Sequence, residues 1–387
     1  MSKSNETTPN VPTLRFAEYT DEWHKFALSD FVTRITRRNK NNESSLPLTI
    51  SAQYGLVDQI TFFNKTVASV DLSGYYLLYN GDFAYNKSYS NDYAWGAVKR
   101  LDKYEKGCLS SLYFVFRPTD KVDSDYLTHY FETNKWHKGI SDIAGEGARN
   151  HGLLNMSVDD YFATKHYLPT LPEQRKIADF LNLIVKRIEI QNKIISKYET
   201  LIKGIREKIV NSDWKWIKLD ELIKNSVVIL NRGNIIPKHA KSDLYQYPVY
   251  SSSTQNNGLM GYNDSYMFDK ELITWSIDGG GNFFYRNKHK FSVTNVCGIM
   301  QVDESAYLYR FIAEMLTYQH SKMKFDYQSK AHPSVISTLY SLPVVPLAMQ
   351  STYCQLFIAT DKIISTEKTY LSKLKEQKNY LLSKMFI

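Results

Sequence analysis

The chain is 387 residues long, 43% hydrophobic, and carries 48 Lys and Arg against 40 Asp and Glu, a formal charge of +8. That length predicts two domains at roughly 100–200 residues each, and the basic excess suits a polyanionic partner without proving one. Three scattered cysteines (Cys108, Cys297, Cys354) with no CxxC argue against a disulfide framework or a zinc site and for a reducing cytoplasm, and no apolar run approaches the roughly 20 residues of a bilayer span.

Residues 1–14 read as a disordered polar tail; with no apolar core, the start is no signal peptide. A first module, 15–167, opens on DEWHKFALSDFV (Asp21–Val32). It is rich in Tyr, Phe, Ser and Asn, with β-like runs such as SLYFVFRP (Ser111–Pro118), a turn signal at Tyr79–Asn80–Gly81 and a helical patch at Ser124–Thr133. Then LPTLPEQRKIADFLNLIVKRI (Leu168–Ile188) begins a long helix, assigned 168–211. Its apolar positions Ile177, Leu181, Ile184, Ile188, Ile195, Tyr198, Ile202, Ile205 and Ile209 step by fours and threes, with Gln191 filling the one gap. That is a sustained heptad, the pattern of a coiled coil. Pro172 suits the first turn, where its missing N–H costs nothing, and Glu173 adds a favourable charge at the positive end of the helix dipole.

A second module, 212–341, opens on SDWKWIKLDELI (Ser212–Ile223). It continues with YPVYSSS (Tyr247–Ser253) and GIMQV (Gly298–Val302), turns at Asn257–Gly258 and Asp278–Gly281, and a helical patch at Ala306–His320. The last segment, 342–387, starts LPVVPLAMQSTYCQLFIATDKII. It repeats the seam with Tyr353, Phe357, Ile364, Leu371, Leu374, Leu381 and Met385, interrupted by Thr360, Glu367 and Lys378.

The chain repeats itself. Gln174 and Gln350 stand 176 positions apart, and at that offset Ile177 faces Tyr353, Leu181 faces Phe357, Ile188 faces Ile364, Ile195 faces Leu371 and Gln191 faces Glu367. Upstream, Trp23, Phe26, Leu28 and Phe31 fall on Trp214, Ile217, Leu219 and Leu222, and LPLTISAQYGLV (Leu46–Val57) echoes YPVYSSSTQNNGLM (Tyr247–Met260). The order is module, helix, module, helix. The fold class is therefore α+β: two α/β modules with small irregular sheets, separated by two long helices. The seams predict that the helices pair, and chain geometry favours an antiparallel coiled coil in a pseudo-two-fold molecule. The alternative is two unrelated amphipathic helices, each packed on its own module.

Basic and amide residues gather in the module loops: Arg34, Arg37, Arg38 and Lys40; Gln53; Arg149 and Asn150 in a glycine-rich stretch; Arg232; Gln255, Asn256 and Asn257; and Arg286, Lys288 and Lys290. Arg can bind guanine, and Asn or Gln adenine, through two hydrogen bonds each, while Lys and the remaining Arg would bind phosphates. These are the candidate DNA-binding residues; a solvated basic loop is the plain alternative for any one of them.

The stretch PTLPEQRKIADFL (Pro169–Leu181), its degenerate second copy, GARNHGLLNMSVDDYF (Gly147–Phe162), the tryptophan starts at Trp23 and Trp214 and the closing LLSKMF (Leu381–Phe386) resemble the specificity subunit of type I restriction-modification systems. The resemblance covers almost the whole chain. It implies two target-recognition domains, each reading one half of a bipartite double-stranded DNA site, and an antiparallel coiled coil that sets the spacer and docks the methyltransferase subunits. It further implies two modification and two restriction subunits as partners. S-adenosylmethionine would sit in the former and ATP and Mg in the latter; this chain itself would bind no cofactor. Carried over, Glu173, Gln174, Ile177, Phe180, Leu181, Ile184, Ile188, Ile195 and Ile202 form the first docking and coiled-coil set, and Gln350, Tyr353, Phe357, Ile364, Leu371 and Leu381 the second. Ala348–Met349 replaces Pro–Glu in the second copy, and Val185 stands where Asp361 keeps an acid.

Catalytic motifs are missing from the sequence. There is no Pro-Pro pair for an adenine methyltransferase loop, DGGGN (Asp278–Asn282) lacks GxGxxG spacing, and the Glu376–Gln377–Lys378 triplet lies on the second helix. No catalytic or metal-binding residue is assigned. Two other classes stay open: a standalone DNA-modifying enzyme with unrecognised motifs, and a coiled-coil scaffold without DNA contact.

Overall fold

The computed structural model describes residues 10–88, 93–144, 153–253, 255–278, 280–323 and 330–387. It divides into two compact units. The first runs to Gln191 and takes in Tyr370–Ile387; the second is Asn192–Thr369.

In the first unit β1 (His24–Ala27) pairs antiparallel with β10 (Lys165–Leu168). A four-stranded antiparallel sheet takes the order β2 (Val32–Arg34), β9 (Phe114–Pro118), β6 (Phe83–Asn86), β7 (Ala97–Arg100). Two antiparallel pairs complete the unit: the hairpin β3 (Leu48–Ser51) with β4 (Gly55–Asp58), and β5 (Tyr76–Tyr79) with the more distant β8 (Lys106–Leu109). A parallel bridge from Pro47 to Cys108 ties the two pairs together.

The second unit repeats this plan. β11 (Trp216–Lys218) pairs with β20 (Ser341–Pro343), and β12 (Val228–Arg232), β19 (Cys297–Val302), β16 (Leu272–Ser276) and β17 (Phe283–Arg286) form a four-stranded sheet. A last sheet runs β14 (Leu259–Asn263), β13 (Tyr247–Tyr250), β18 (Lys290–Val293), β15 (Phe268–Asp269), with β13 and β18 parallel. Adding ten to each strand number of the first unit gives the second. Even the register agrees: Phe26 opposes His166, and the aligned Ile217 opposes Leu342. The Leu28 N–H reaches Thr164 O at 2.9 Å, and the Leu219 N–H reaches Tyr340 O at 2.9 Å. The three sequence echoes therefore mark a true structural duplication, since side-chain period two lets a register slip turn every residue to the wrong face.

The helices follow the same rule. Short α1 (Leu28–Phe31) matches α7 (Leu219–Lys224), and α3 (Ser124–Tyr130) matches α8 (Tyr309–Lys322). The pair α5 (Val158–Ala163) and α9 (Pro333–Leu339) correspond as well, whereas α2 (Gln59–Phe63) and α4 (His137–Ile143) have no counterpart among the described residues of the second unit. The expected patch at Ser124–Thr133 stops early, because Thr133 turns its hydroxyl onto Tyr130 O at 2.7 Å. The long helices α6 (Leu171–Val210) and α10 (Leu347–Lys384) start 176 positions apart, at equivalent residues.

Both seams are buried. In the first unit Ile177, Leu181 and Ile184 share one core with Leu381, Leu382, Met385 and Phe386, and Arg187 bonds the Tyr370 hydroxyl. In the second, Ile195, Ile202, Phe357 and Ile364 are buried and Lys368 Nζ meets Glu199 Oε1 at 2.8 Å. In the first unit the start of α6 meets the end of α10 and Arg187, further along α6, meets the earlier Tyr370, so the two helices run antiparallel there, as expected. Gln191 and Thr360 are buried in the seam, and polar seam residues of this kind fix register. Among the described residues no helix is long and apolar enough to cross a membrane.

Candidate nucleic-acid interface

The hairpins β3–β4 and β13–β14 occupy the same place in the duplicated plan, and both turn on exposed amides. Gln53 is exposed in the first turn, and Gly55, at φ +81°, opens the return strand. In the second, Gln255, Asn256 and Asn257 are exposed, with Asn256, Asn257 and Gly258 at φ +46°, +56° and +80°. Asn tolerates the left-handed region and Gly enters it freely, so this composition suits a tight loop that turns its amides outward.

Arg286 corrects the sequence reading. It is only 2% exposed. Its guanidinium lies 3.6 Å from the Tyr250 ring centroid, donates to Asn257 O at 2.7 Å and to Thr274 Oγ1 at 2.9 Å. Burial lowers its pKa to about 10, which still leaves it charged at neutral pH. It props the amide turn from inside, where the sequence placed it on the surface. Lys288, in the segment that follows, and Lys290, at the start of β18, are exposed, Lys290 standing 4.9 Å over the Tyr266 ring.

In the first unit the basic segment splits in two. Arg34 and Lys40 are exposed. Arg37 is partly spent: it bonds Asp82 and donates to Leu77 O at 2.7 Å, while Arg117 Nε meets the other Asp82 oxygen at 2.6 Å. Arg38 packs 4.2 Å over Tyr76 and donates to Gly74 O at 2.7 Å. The buried Asp82 thus holds two arginines along a shallow groove of about 480 Å³, lined by Thr33, Arg34, Thr36, Arg37, Arg117 and Thr119. Arg117 was missed in the sequence; the signal was a lone Arg closing an otherwise apolar strand, directly opposite Thr33 in the register. Arg232 ends β12 as Arg34 ends β2; it is exposed and donates twice to Asn295 O, at 3.0 and 2.7 Å. Beside Gln53, Tyr54, Phe62 and Phe63 form an exposed aromatic group that composition alone did not single out. Arg149 and Asn150 lie outside the described residues.

The residues carried over as docking groups fall mostly inside their own units. Glu173 and Gln174 are each 1% exposed and Gln350 is 0% exposed. Glu173 takes two hydrogen bonds from Arg15, and Gln174 and Gln350 bond only to backbone of this chain in the contacts described. Phe180 is half-buried against Phe16, Tyr353 stacks on Phe311, and Ile188 and Leu371 are half-buried along the seam. Asp361 pairs with Arg310 at 2.6 Å, which accounts for an acid where α6 has Val185. What α10 leaves outside is a second apolar row at heptad spacing, Met349, Leu356 and Ile363, at 40%, 42% and 36% exposure. On α6, Leu183 and Ile190 are exposed with the same spacing. Cys108, Cys297 and Cys354 are free and buried. Among the described residues no cluster of three or more His, Cys, Asp or Glu is placed to hold a metal ion.

This is the fold of a type I specificity subunit. The chain superposes over 97% of its length on the crystal structure of the type I restriction-modification system S subunit from M. genitalium, covering 99% of that chain, with a TM-score of 0.61 at 17% identity. A second solved chain, from work on complex assembly and conformational transition of the type I R-M system, matches 94% of this chain and 97% of its own at a TM-score of 0.53 and 15% identity. Residues 211–378, in the second half of the chain, match the family "Type I restriction modification DNA specificity domain". Among curated relatives, the type I specificity subunit S.MpnORF507P of Mycoplasma pneumoniae is 32% identical over 155 residues, 39% of this chain and 42% of the relative. From the same organism, S.MpnORF285P is 34% identical over 140 residues, 35% of this chain and 45% of the relative, and the specificity subunit of the type I restriction enzyme MpnII is 29% identical over 137 residues, 35% and 41%. The chain spans less than half the length of each of these three.

Proposed function

We propose that this chain is the DNA sequence-specificity subunit of a type I restriction-modification complex and is itself non-catalytic. Each unit reads one half of a bipartite site, and the two long helices set the spacer and dock the methyltransferase subunits. One observation carries the reading: the units share a strand-for-strand plan, and each turns exposed amides outward at the same hairpin, Gln53 in one and Gln255–Asn257 in the other. Amides at a turn can read adenine, and two copies of one reader suit two half-sites. The groove arginines, with Lys288 and Lys290, supply phosphate contacts, which position without specifying. The heptad row Met349, Leu356 and Ile363 offers the apolar face for a modification subunit, because exposed apolar rows of this kind mark interaction sites. In this reading S-adenosylmethionine belongs to the modification partners and ATP and Mg to the restriction partners.

The test is a gel shift with and without the methyltransferase partner, joined to methylome sequencing of a host carrying the complete system. Specific retardation with partner and a bipartite methylated motif are expected. Methyl transfer by the purified chain alone would refute the non-catalytic assignment.

A further inference from the structure

Gln174 and Gln350 make the same pair of bonds in two separate units, and Gln350 adds a third. The Gln174 amide donates to Pro169 O at 2.9 Å, and its oxygen accepts the Asp123 N–H at 2.8 Å. The Gln350 amide donates to Val345 O at 2.8 Å and Ala306 O at 3.0 Å, and its oxygen accepts the Leu308 N–H at 2.9 Å. Asp123 and Leu308 are the N-caps of α3 and α8, the equivalent helices of the two modules.

In a capping box the residue three places into a helix reaches back to the N–H of its own N-cap. Here Tyr126 and Phe311 stand at that place and cannot do so. A glutamine from the first turn of the coiled-coil helix does it instead. Each glutamine therefore joins three things: the segment entering the long helix, that helix's first turn, and the start of a module helix. All the groups it joins are main-chain groups, so the bond fixes backbone to backbone. A buried amide with every partner in place resists reorientation, because breaking any one bond strands a desolvated group.

We propose that Gln174 and Gln350 are positioning residues that fix the angle between each module and its coiled-coil helix, and so set how strictly the complex selects its spacer. This rests on the specificity-subunit reading. The half-site sequence is read elsewhere on the module, so a loosened clamp blurs spacing and leaves sequence alone.

The experiment is methylation, by the complete complex, of a DNA library with fixed half-sites and varied spacers. Gln174→Met and Gln350→Met keep the length and remove both bonding atoms. Each is expected to cut the preference for the native spacer over spacers one base pair longer or shorter by about five-fold, with both half-sites unchanged. Gln174→Glu retains the acceptor for Asp123 but turns a buried carboxylate oxygen onto Pro169 O in place of the donor, and is expected to broaden the profile at least as much. Ile140→Val loosens the first module's core away from the clamp and is expected to keep the native profile. A wild-type spacer profile in both methionine variants overturns the proposal. So does equal broadening in Ile140→Val, which would make the effect general loosening. A wild-type complex with no spacer preference would overturn the specificity-subunit reading itself, and the clamp with it.

Discussion

Arg15 closes on Glu173 through two hydrogen bonds, Nε at 2.7 Å and Nη2 at 2.8 Å, and the Trp23 indole N–H reaches the same carboxylate at 3.4 Å. The carboxylate is 1% exposed and the guanidinium 13%. This joins the segment ahead of β1 to the first turn of α6 and has no counterpart in the second unit, where Met349 replaces the acid. Removing one partner of such a buried pair leaves an uncompensated charge. Glu173→Ala is expected to destabilise the chain by about 3 kcal/mol in chemical denaturation. Breaking the exposed Lys176–Glu18 pair should cost under about 1 kcal/mol.

The missing acid leaves a trace. Trp214, aligned with Trp23, has a buried indole N–H with no hydrogen-bond partner among the described residues. Met349 stands where Glu173 stands in the first copy. Met349 is 40% exposed against 1% for Glu173, so Met349→Gln brings a neutral acceptor in from the surface; where it reaches the Trp214 N–H it is expected to raise stability by about 1 kcal/mol, read as a higher thermal midpoint. An unchanged or lower midpoint would show that the two helix starts are not equivalent in detail.

His166 gives the first unit a sensitivity to acid. Thr164 Oγ1 donates to Tyr161 O at 2.7 Å, so at 2.8 Å from His166 Nε2 it accepts, and Nδ1 accepts from the Tyr130 hydroxyl at 2.8 Å. The imidazole is neutral and fully satisfied. Burial lowers its pKa from 6.5 to about 4. The unfolded chain therefore binds the proton first as pH falls, and stability present above about 6.5 is lost progressively down to about 4. The loss is on the order of 3 kcal/mol. His166→Gln should flatten that part of the stability–pH curve; an equally steep curve would place the titrating group elsewhere.

Arg286 should act on one half-site only. Arg286→Met removes the donors to Asn257 O and Thr274 Oγ1 and the cation over Tyr250, a loss of about 4 kcal/mol from two charged hydrogen bonds and one cation–π contact. In a methylated-motif assay the second half-site should weaken or relax and the first stay unchanged. Loss of both together would argue against separate readers.

The heptad row on α10 can be tested without touching the seam. Leu356→Asp and Ile363→Asp sit on the exposed face, so the melting temperature should move little. Co-purification with the methyltransferase subunit should fall at least ten-fold. Full retention would move the docking face to Leu183 and Ile190 on α6 or off the helices.

Much of this molecule was legible in its residues. The heptads of α6 and α10, the tryptophan starts and the hairpin echo all express local periodicity, and a seam or a strand face is written in the chain at fixed spacing. The order of elements and the existence of a repeat follow from that alone. The strand pairing between distant segments did not, because β9 comes to lie between β2 and β6 only once loops of many residues have closed. Nor could the sequence tell which arginines meet solvent. Arg34 and Arg286 look alike in a basic run, and what separates them is Tyr250, Thr274 and Asn257 closing around one of them. The same holds for Gln174 and Gln350: the repeat marked them as equivalent, but only folding brought Asp123 and Leu308 within reach of their amides. Burial and long-range hydrogen bonds are set by what the rest of the chain places nearby, and no local pattern encodes that.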